Sequence, residues 1–279
     1  MRNNQDRFGA KPEGSEAPPA KTLEFVKPSE FVLLPSKGAY PAGHPLHNKE
    51  SIEIYYMTAK DEDILSSQAL IKKGLAIERF IENVIVDKKI LASSLYTGDR
   101  NAIIIAARAS GYGNAYETEV GCPSCGTKNK MVFDLDKPVI KETSFSDPDK
   151  KLYKTDDGHF ETIMPSSEYR VKFKLLTGKD ELEMVEEKMS KKKTRIAGLE
   201  RNITNQFKKM IVAIEGHEDR HLVGQYIGVM TAKDSIHLKK CYGMVNPNVE
   251  IKNHLECYSC GHEQELEVPL NADFFWPDT

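Results

Sequence analysis

Apolar residues recur along this chain with two periods, a strand-like alternation and a helix-like spacing, and the periods follow one another in the same order in both halves. In the first half Phe31-Val32-Leu33-Leu34 is a short extended run, and Pro35 to Pro45 is a turn-rich stretch containing Gly38, Pro41 and Gly43. Ser51 to Tyr56 alternates as a half-buried strand does. Thr58 stops that strand and opens a helix, with Asp61 placed to complete a capping box or favour the dipole. Leu65, Ala69, Leu70, then Leu75, Ile77, Phe80, Ile81, Val84 and Ile85 keep helical spacing, and Gly74 divides them into two helices. Thr97-Gly98-Asp99-Arg100 opens a further helix, Asn101 to Ala109, which Gly111 and Gly113 end. Strands are expected at Tyr116 to Val120 and Lys130 to Leu135, on either side of Cys122 to Gly126.

The second half repeats this order. Tyr169 to Leu176 reads as a strand, Leu182 to Met189 and Ile203 to Ile214 as helices, and Thr231-Ala232-Lys233-Asp234 opens the last helix. Val249 to Glu256 and Glu263 to Val268 flank Cys257 to Gly261. Short phrases recur with the elements: Leu34-Pro35-Ser36 returns as Met164-Pro165-Ser166, and Tyr56-Met57-Thr58-Ala59-Lys60-Asp61-Glu62 as Leu175-Leu176-Thr177-Gly178-Lys179-Asp180-Glu181. Tyr112-Gly113 returns as Tyr242-Gly243, and Cys122-Pro123-Ser124-Cys125-Gly126 as Cys257-Tyr258-Ser259-Cys260-Gly261. The expected fold is α+β, an internal duplication of a strand–helices–β-hairpin unit, each copy ending in a zinc-ribbon-like Cys-x-x-Cys-Gly knuckle. Its parts are a flexible arm over 1–27, a first repeat over 28–138, a linker with a β-hairpin over 139–167 and a second repeat over 168–279.

The chain's 279 residues are enough for two such lobes, and with 39% hydrophobic and 29% charged residues it is expected to be soluble. No apolar run approaches the roughly 20 residues of a membrane helix. Met1 to Lys21 lacks the apolar stretch of a signal peptide, so the chain is expected to stay in the cytosol where it is made. In that reducing compartment Cys-x-x-Cys suggests a metal knuckle or a redox motif before a disulfide. The net charge of −3 argues against a duplex binder, which presents a basic face to many phosphates.

Each knuckle offers two soft thiolates, and a structural zinc takes four ligands in a tetrahedron. Two related hairpins packed about a pseudo-twofold axis would place Cys122, Cys125, Cys257 and Cys260 around one zinc per chain. Two separate sites look incomplete, since only the second knuckle has histidines beside it, His254 and His262; a degenerate pair that binds nothing remains an alternative. A thioredoxin-like redox pair sits where a strand enters a helix, whereas strand residues follow these knuckles. Cys241 reads as a small core residue, His44 and His47 as a solvated loop pair, and Lys191 to Lys193 as a solvated helix end. No Gly-rich phosphate loop, Gly-x-Ser-x-Gly or His-Glu-x-x-His is present, and no catalytic centre or small-molecule substrate is expected.

The chain resembles the baseplate proteins of T4-like contractile-tailed phages, a family with a hub component and a hub-assembly factor. Leu34-Pro35-Ser36-Lys37-Gly38, Tyr56 to Leu65 with Leu70-Ile71-Lys72-Lys73-Gly74, Asp99-Arg100-Asn101, Gly111-Tyr112-Gly113, Cys122 to Gly126 and Phe274-Phe275-Trp276-Pro277 carry the resemblance. It implies a structural or assembly role in the virion baseplate, built in the host cytoplasm, with other baseplate and tail proteins as partners. The runner-up is a zinc-ribbon nucleic-acid-binding or regulatory protein, which the knuckles alone would suggest. Phe274, Phe275 and Trp276 form a candidate partner anchor, since aromatic residues concentrate at interface centres; the alternative is that they pack on the chain's own second lobe.

Overall fold

The computed structural model describes residues 26–136, 138–192, 202–268, 270 and 272–275. Residues 1–25 of the expected arm lie outside that set. Strands β1 (Ser29–Leu33) and β2 (Ser51–Tyr55) pair antiparallel, with Glu30 opposite Ile54, and Val32, Ile52 and Ile54 turn inward. Three helices follow, α1 (Ala59–Ser66), α2 (Gln68–Lys73) and α3 (Ala76–Val84). The Thr58 amide and hydroxyl both donate to Asp61, at 2.9 and 2.6 Å, which starts α1. Gly74 ends α2 in the left-handed region at φ 69°, a conformation that costs glycine nothing.

Helix α4 (Thr97–Tyr112) runs through the first body with Ile103, Ile105 and Ala107 buried, and packs against β1, β2 and α3. The hairpin of β3 (Ala115–Gly121) and β4 (Lys128–Asp134) follows. After β5 (Val139–Ile140), the strands β6 (Tyr153–Lys154), β7 (Phe160–Ile163) and β8 (Arg170–Phe173) begin the second body. They are joined by α5 (Gly178–Lys192), α6 (Asn202–Met210), β9 (Ile211–Ile214), α7 (Arg220–Val229) and α8 (Ala232–Val245). The sheet order is β6-β7-β8-β9. The chain closes with β10 (Val249–Glu250), which pairs with β5, the hairpin of β11 (Lys252–Glu256) and β12 (Glu263–Glu267), and a 3-10 turn at Ala272–Phe275.

The mixed helix and strand content agrees with an α+β reading, with two corrections. Ile211–Ile214 is an edge strand on β8 and not the end of a helix. Phe207, Met210, Ile211 and Ile214 keep helical spacing, but β-branched residues at 211, 212 and 214 fit a pleated surface better. The second correction concerns the end of the chain. Val249, Ile251, Leu255, Val268, Phe274 and Phe275 are buried in the core that also holds Ile54, Phe80 and Ile103. A separate core contains Leu152, Phe173, Phe207, Leu238 and Val245. The last hairpin therefore leaves the body that precedes it and packs on the first.

The two bodies also meet at helix starts. Thr97 donates its amide to the Leu176 carbonyl at 3.2 Å and Gly178 donates to Leu95 at 2.9 Å. Buried Arg100 spans this joint, bonding Glu78 at 2.5 Å and the Ala92 carbonyl at 2.9 Å, with Glu181 of α5 at 3.4 Å. A Cβ on Gly98 would fall on the Pro247 carbonyl, which as backbone cannot rotate away. Gly98→Ala is expected to cost about 1–3 kcal/mol through overpacking. A urea melt with an unmoved midpoint would show that the joint yields without cost.

Candidate metal centre

Each knuckle is built by the same three-part local structure. Cys122 donates its amide to the Thr127 carbonyl at 2.8 Å while its own carbonyl accepts from Gly126 at 2.8 Å. Cys257 donates to the His262 carbonyl at 2.9 Å while its carbonyl accepts from Gly261 at 2.8 Å. The two glycines hold φ values of 75° and 67°, where a side chain would be strained. These turns fold each pair of thiols toward one point.

The hairpins bring those points together. Cys122 Sγ lies 3.7 Å from Cys260 Sγ, and Cys125 Sγ lies 3.7 Å from Cys257 Sγ. All four sulfurs lie within 4.8 Å of one another, close enough to bind one metal ion, and no histidine joins the cluster. Cys122 and Cys257 are buried, whereas Cys125 and Cys260 are exposed. The Thr127 hydroxyl and backbone beside Cys125 bring that thiol down to about 6. The His262 backbone N–H favours the Cys260 thiolate, but the Cys125 thiol, burial and the thiols of Cys257 and Cys122 outweigh it, pushing Cys260 up to about 12. The first thiolate thus opposes the next, a conflict that a bound cation reverses.

Asn129 joins the two knuckles from beneath. It is buried on β4, donates to the Thr127 carbonyl at 2.8 Å and accepts the Tyr258 amide at 3.2 Å. Its side-chain nitrogen also lies 3.7 Å from Cys257 Sγ. Further along, Asn253 donates to the Val132 carbonyl at 2.6 Å. Asn129 was not anticipated, though it breaks the pattern of its strand: Met131 and Phe133, its companions on that face, are apolar.

Away from the cysteines, two buried carboxylates, one in each body, tie a loop to a helix. Asp99, the third residue of α4, accepts the Ser36 amide at 2.9 Å and the hydroxyls of Ser36 and Tyr40, both at 2.6 Å. Asp234, the third residue of α8, accepts the amides of Ser166 at 2.8 Å and Ser167 at 3.2 Å. Likewise Thr177 donates its amide and hydroxyl to Asp180, both at 3.0 Å, as Thr58 does to Asp61.

Residues 30–276 match the family described as T4 bacteriophage base plate protein. The chain belongs to that family. No curated protein and no solved structure matches it.

In this baseplate protein the aromatic end is not a free anchor. Phe274 and Phe275 are fully buried; Phe275 packs edge-on against Phe80 with ring centroids 4.8 Å apart, and Phe274 against Tyr116 at 4.9 Å. Buried Arg108 holds them by donating to the Phe274 carbonyl at 3.1 Å. Both rings are thus enclosed by the first core, not the second lobe, and are unavailable to a partner in this conformation; Trp276 lies outside the described residues. The side chains of Lys191 to Lys193 also lie outside them.

Cys241 is fully buried, 3.4 Å from His237 Nε2. Burial pushes its thiol up, the reverse of what a nucleophile needs. His44 stacks on Tyr40 with centroids 4.2 Å apart and is half-buried, not simply solvated. Its Nδ1 accepts the Leu46 amide, so Nε2 is assigned the proton and donates to Ser94 Oγ at 2.9 Å. The Ser94 hydroxyl in turn donates to the Leu91 carbonyl, so this pair fastens a loop and does not activate an oxygen. No helix among the described residues is long and apolar enough to cross a membrane.

Proposed function

We propose that the protein is a non-catalytic structural or assembly component of a contractile-tail baseplate, in which one zinc at Cys122, Cys125, Cys257 and Cys260 clamps the end of the chain to the first body. The observation that carries this reading is the convergence of four thiols from segments about 130 residues apart in sequence. Zinc–sulfur bonds of ~2.3 Å place the sulfurs of a tetrahedral site about 3.8 Å apart. The 3.7 Å separations between the hairpins fit that spacing. Four thiolates close the coordination shell, which suits a structural ion, and soft ligands favour zinc over harder cations.

Duplication supports the same reading. The paired contacts Asp99–Ser36 and Asp234–Ser166, Asp61–Thr58 and Asp180–Thr177, and the matched knuckle turns occur in one order along both halves. Two related bodies, the first of them holding the end of the chain through the metal, offer two related surfaces, and the protein bridges neighbouring baseplate subunits through them. Elemental analysis of protein purified without chelator should give about one zinc per chain if the knuckles share a single closed site. Mass spectrometry of mature particles and of baseplate intermediates separates a permanent component from a transient factor, and absence from both would refute the assignment. Tight, salt-sensitive binding of DNA or RNA would instead support the zinc-ribbon alternative.

Asn129 should act on the metal through Cys257. Asn129→Ala removes a group that orients a ligand, and a loss of roughly 10-fold or more in zinc affinity is expected. Competition against a chromogenic chelator reads it; an unchanged affinity would reduce Asn129 to a packing role.

A further inference from the structure

We propose that residues 23–33 pair, antiparallel about a two-fold axis, with the same segment of a second copy of this chain. Leu34 donates its amide to the Glu50 carbonyl at 2.8 Å, and Tyr56 donates to Pro28 at 3.0 Å. In an antiparallel ladder the backbone groups alternate between edges. The even-numbered residues of β1 therefore face β2, and Ser29, Phe31 and Leu33 turn their N–H and C=O groups the other way. No strand pairs with that edge among the described residues. The edge is not blunted by charge: Phe31 is 73% and Leu33 64% exposed, and Val26 just before the strand is 85% exposed. An open apolar edge of this kind is a template for another strand.

The sequence indicates which strand. Read at alternate positions from 23 to 33 it runs Leu, Phe, Lys, Ser, Phe, Leu, nearly the same in both directions. Turned about Pro28, this set places Leu23 opposite Leu33 of the other copy, Phe25 opposite Phe31 and Lys27 opposite Ser29. On the alternate face Glu24 meets Val32 and Val26 meets Glu30, so no like charges oppose one another. The proline on the axis costs no hydrogen bond, because its position faces β2, where its carbonyl already accepts from Tyr56. Lys27 Nζ sits 4.8 Å from the Tyr55 ring centroid and 3.9 Å from Asp61, which keeps Lys27 and Pro28 in line with β1 instead of reversing there.

Sedimentation equilibrium of the full chain tests the proposal. The wild type is expected at twice its 31.5 kDa mass, and Phe31→Glu and Phe25→Lys alone at the single-chain mass with the circular-dichroism spectrum of the wild type. Combining the two substitutions sets a carboxylate opposite an ammonium and should restore the dimer. A wild type that stays single at every concentration overturns the proposal. So does a dimer that survives Phe31→Glu, or a double variant no more dimeric than either single one.

Discussion

Removing the proposed zinc from the baseplate protein is expected to lower its melting temperature by on the order of 10 °C and to loosen the last hairpin first. An ion held at a thousandfold excess over its dissociation constant stabilises the native state by about 4 kcal/mol, and each kcal/mol moves the midpoint of a chain of this size by about 2–4 °C. The effect should be local before it is global. Leu255, Phe274 and Phe275 reach the first core through a segment whose near end is tied at Cys257 and Cys260. Without the ion, four thiols within 4.8 Å of one another lose the cation that lets them ionise together. Hydrogen exchange with and without chelator should therefore show faster exchange in β11 and β12 than in β7 and β8, which belong to the other core. Cys257→Ser should reproduce the chelated state, and Cys241→Ala, distant in role, should retain the metal. A melting curve indifferent to chelator, in protein that carries no zinc, would leave the cysteines without the clamping role.

What could be read from the sequence was local. A Cys-x-x-Cys-Gly turn is shaped by its own five residues and by a glycine at positive φ, so both knuckles were visible, as were the Thr58 and Thr231 helix starts. Which core the last hairpin joins depends on surfaces far apart in sequence. The apolar positions Ile251, Leu255 and Val268 would suit either body, and nothing in their spacing distinguishes the two. Periodicity also misled at Ile203 to Ile214, where helical spacing coincides with a β-branched run, and it gave no signal for α7, which carries Gly224 and Gly228 inside its span. Asn129 was hidden for a different reason: its role exists only once Tyr258 and Cys257, about 130 positions away, are beside it.

Asp99→Ala is expected to cost about 3–5 kcal/mol, since each buried donor left without its acceptor costs roughly 1–3 kcal/mol and hydroxyls recover part of that by turning. Three donors converge on its carboxylate, the amide and hydroxyl of Ser36 and the hydroxyl of Tyr40, and all three would lose that acceptor in a buried site. Tyr40 also receives the Tyr96 amide at 3.0 Å and stacks on the Tyr96 ring, so the loss spreads into the joint between the bodies. Burial raises the Asp99 carboxyl while these donors pull it back. A carboxyl with a raised folded value binds its proton more tightly when folded, so neutralising it is not itself destabilising. Asp99→Asn keeps the shape and can still accept the Ser36 amide, its amide group meeting hydroxyls that can turn to accept. It should therefore cost well under half of what alanine does. Asp234→Ala removes an acceptor for two amides and no hydroxyl in the matching position, so its cost should fall below that of Asp99→Ala. Urea melts of the three variants decide it. If asparagine costs as much as alanine, the ionised carboxylate itself holds the loop; if Asp234→Ala costs more than Asp99→Ala, the hydroxyl donors add nothing to the latch.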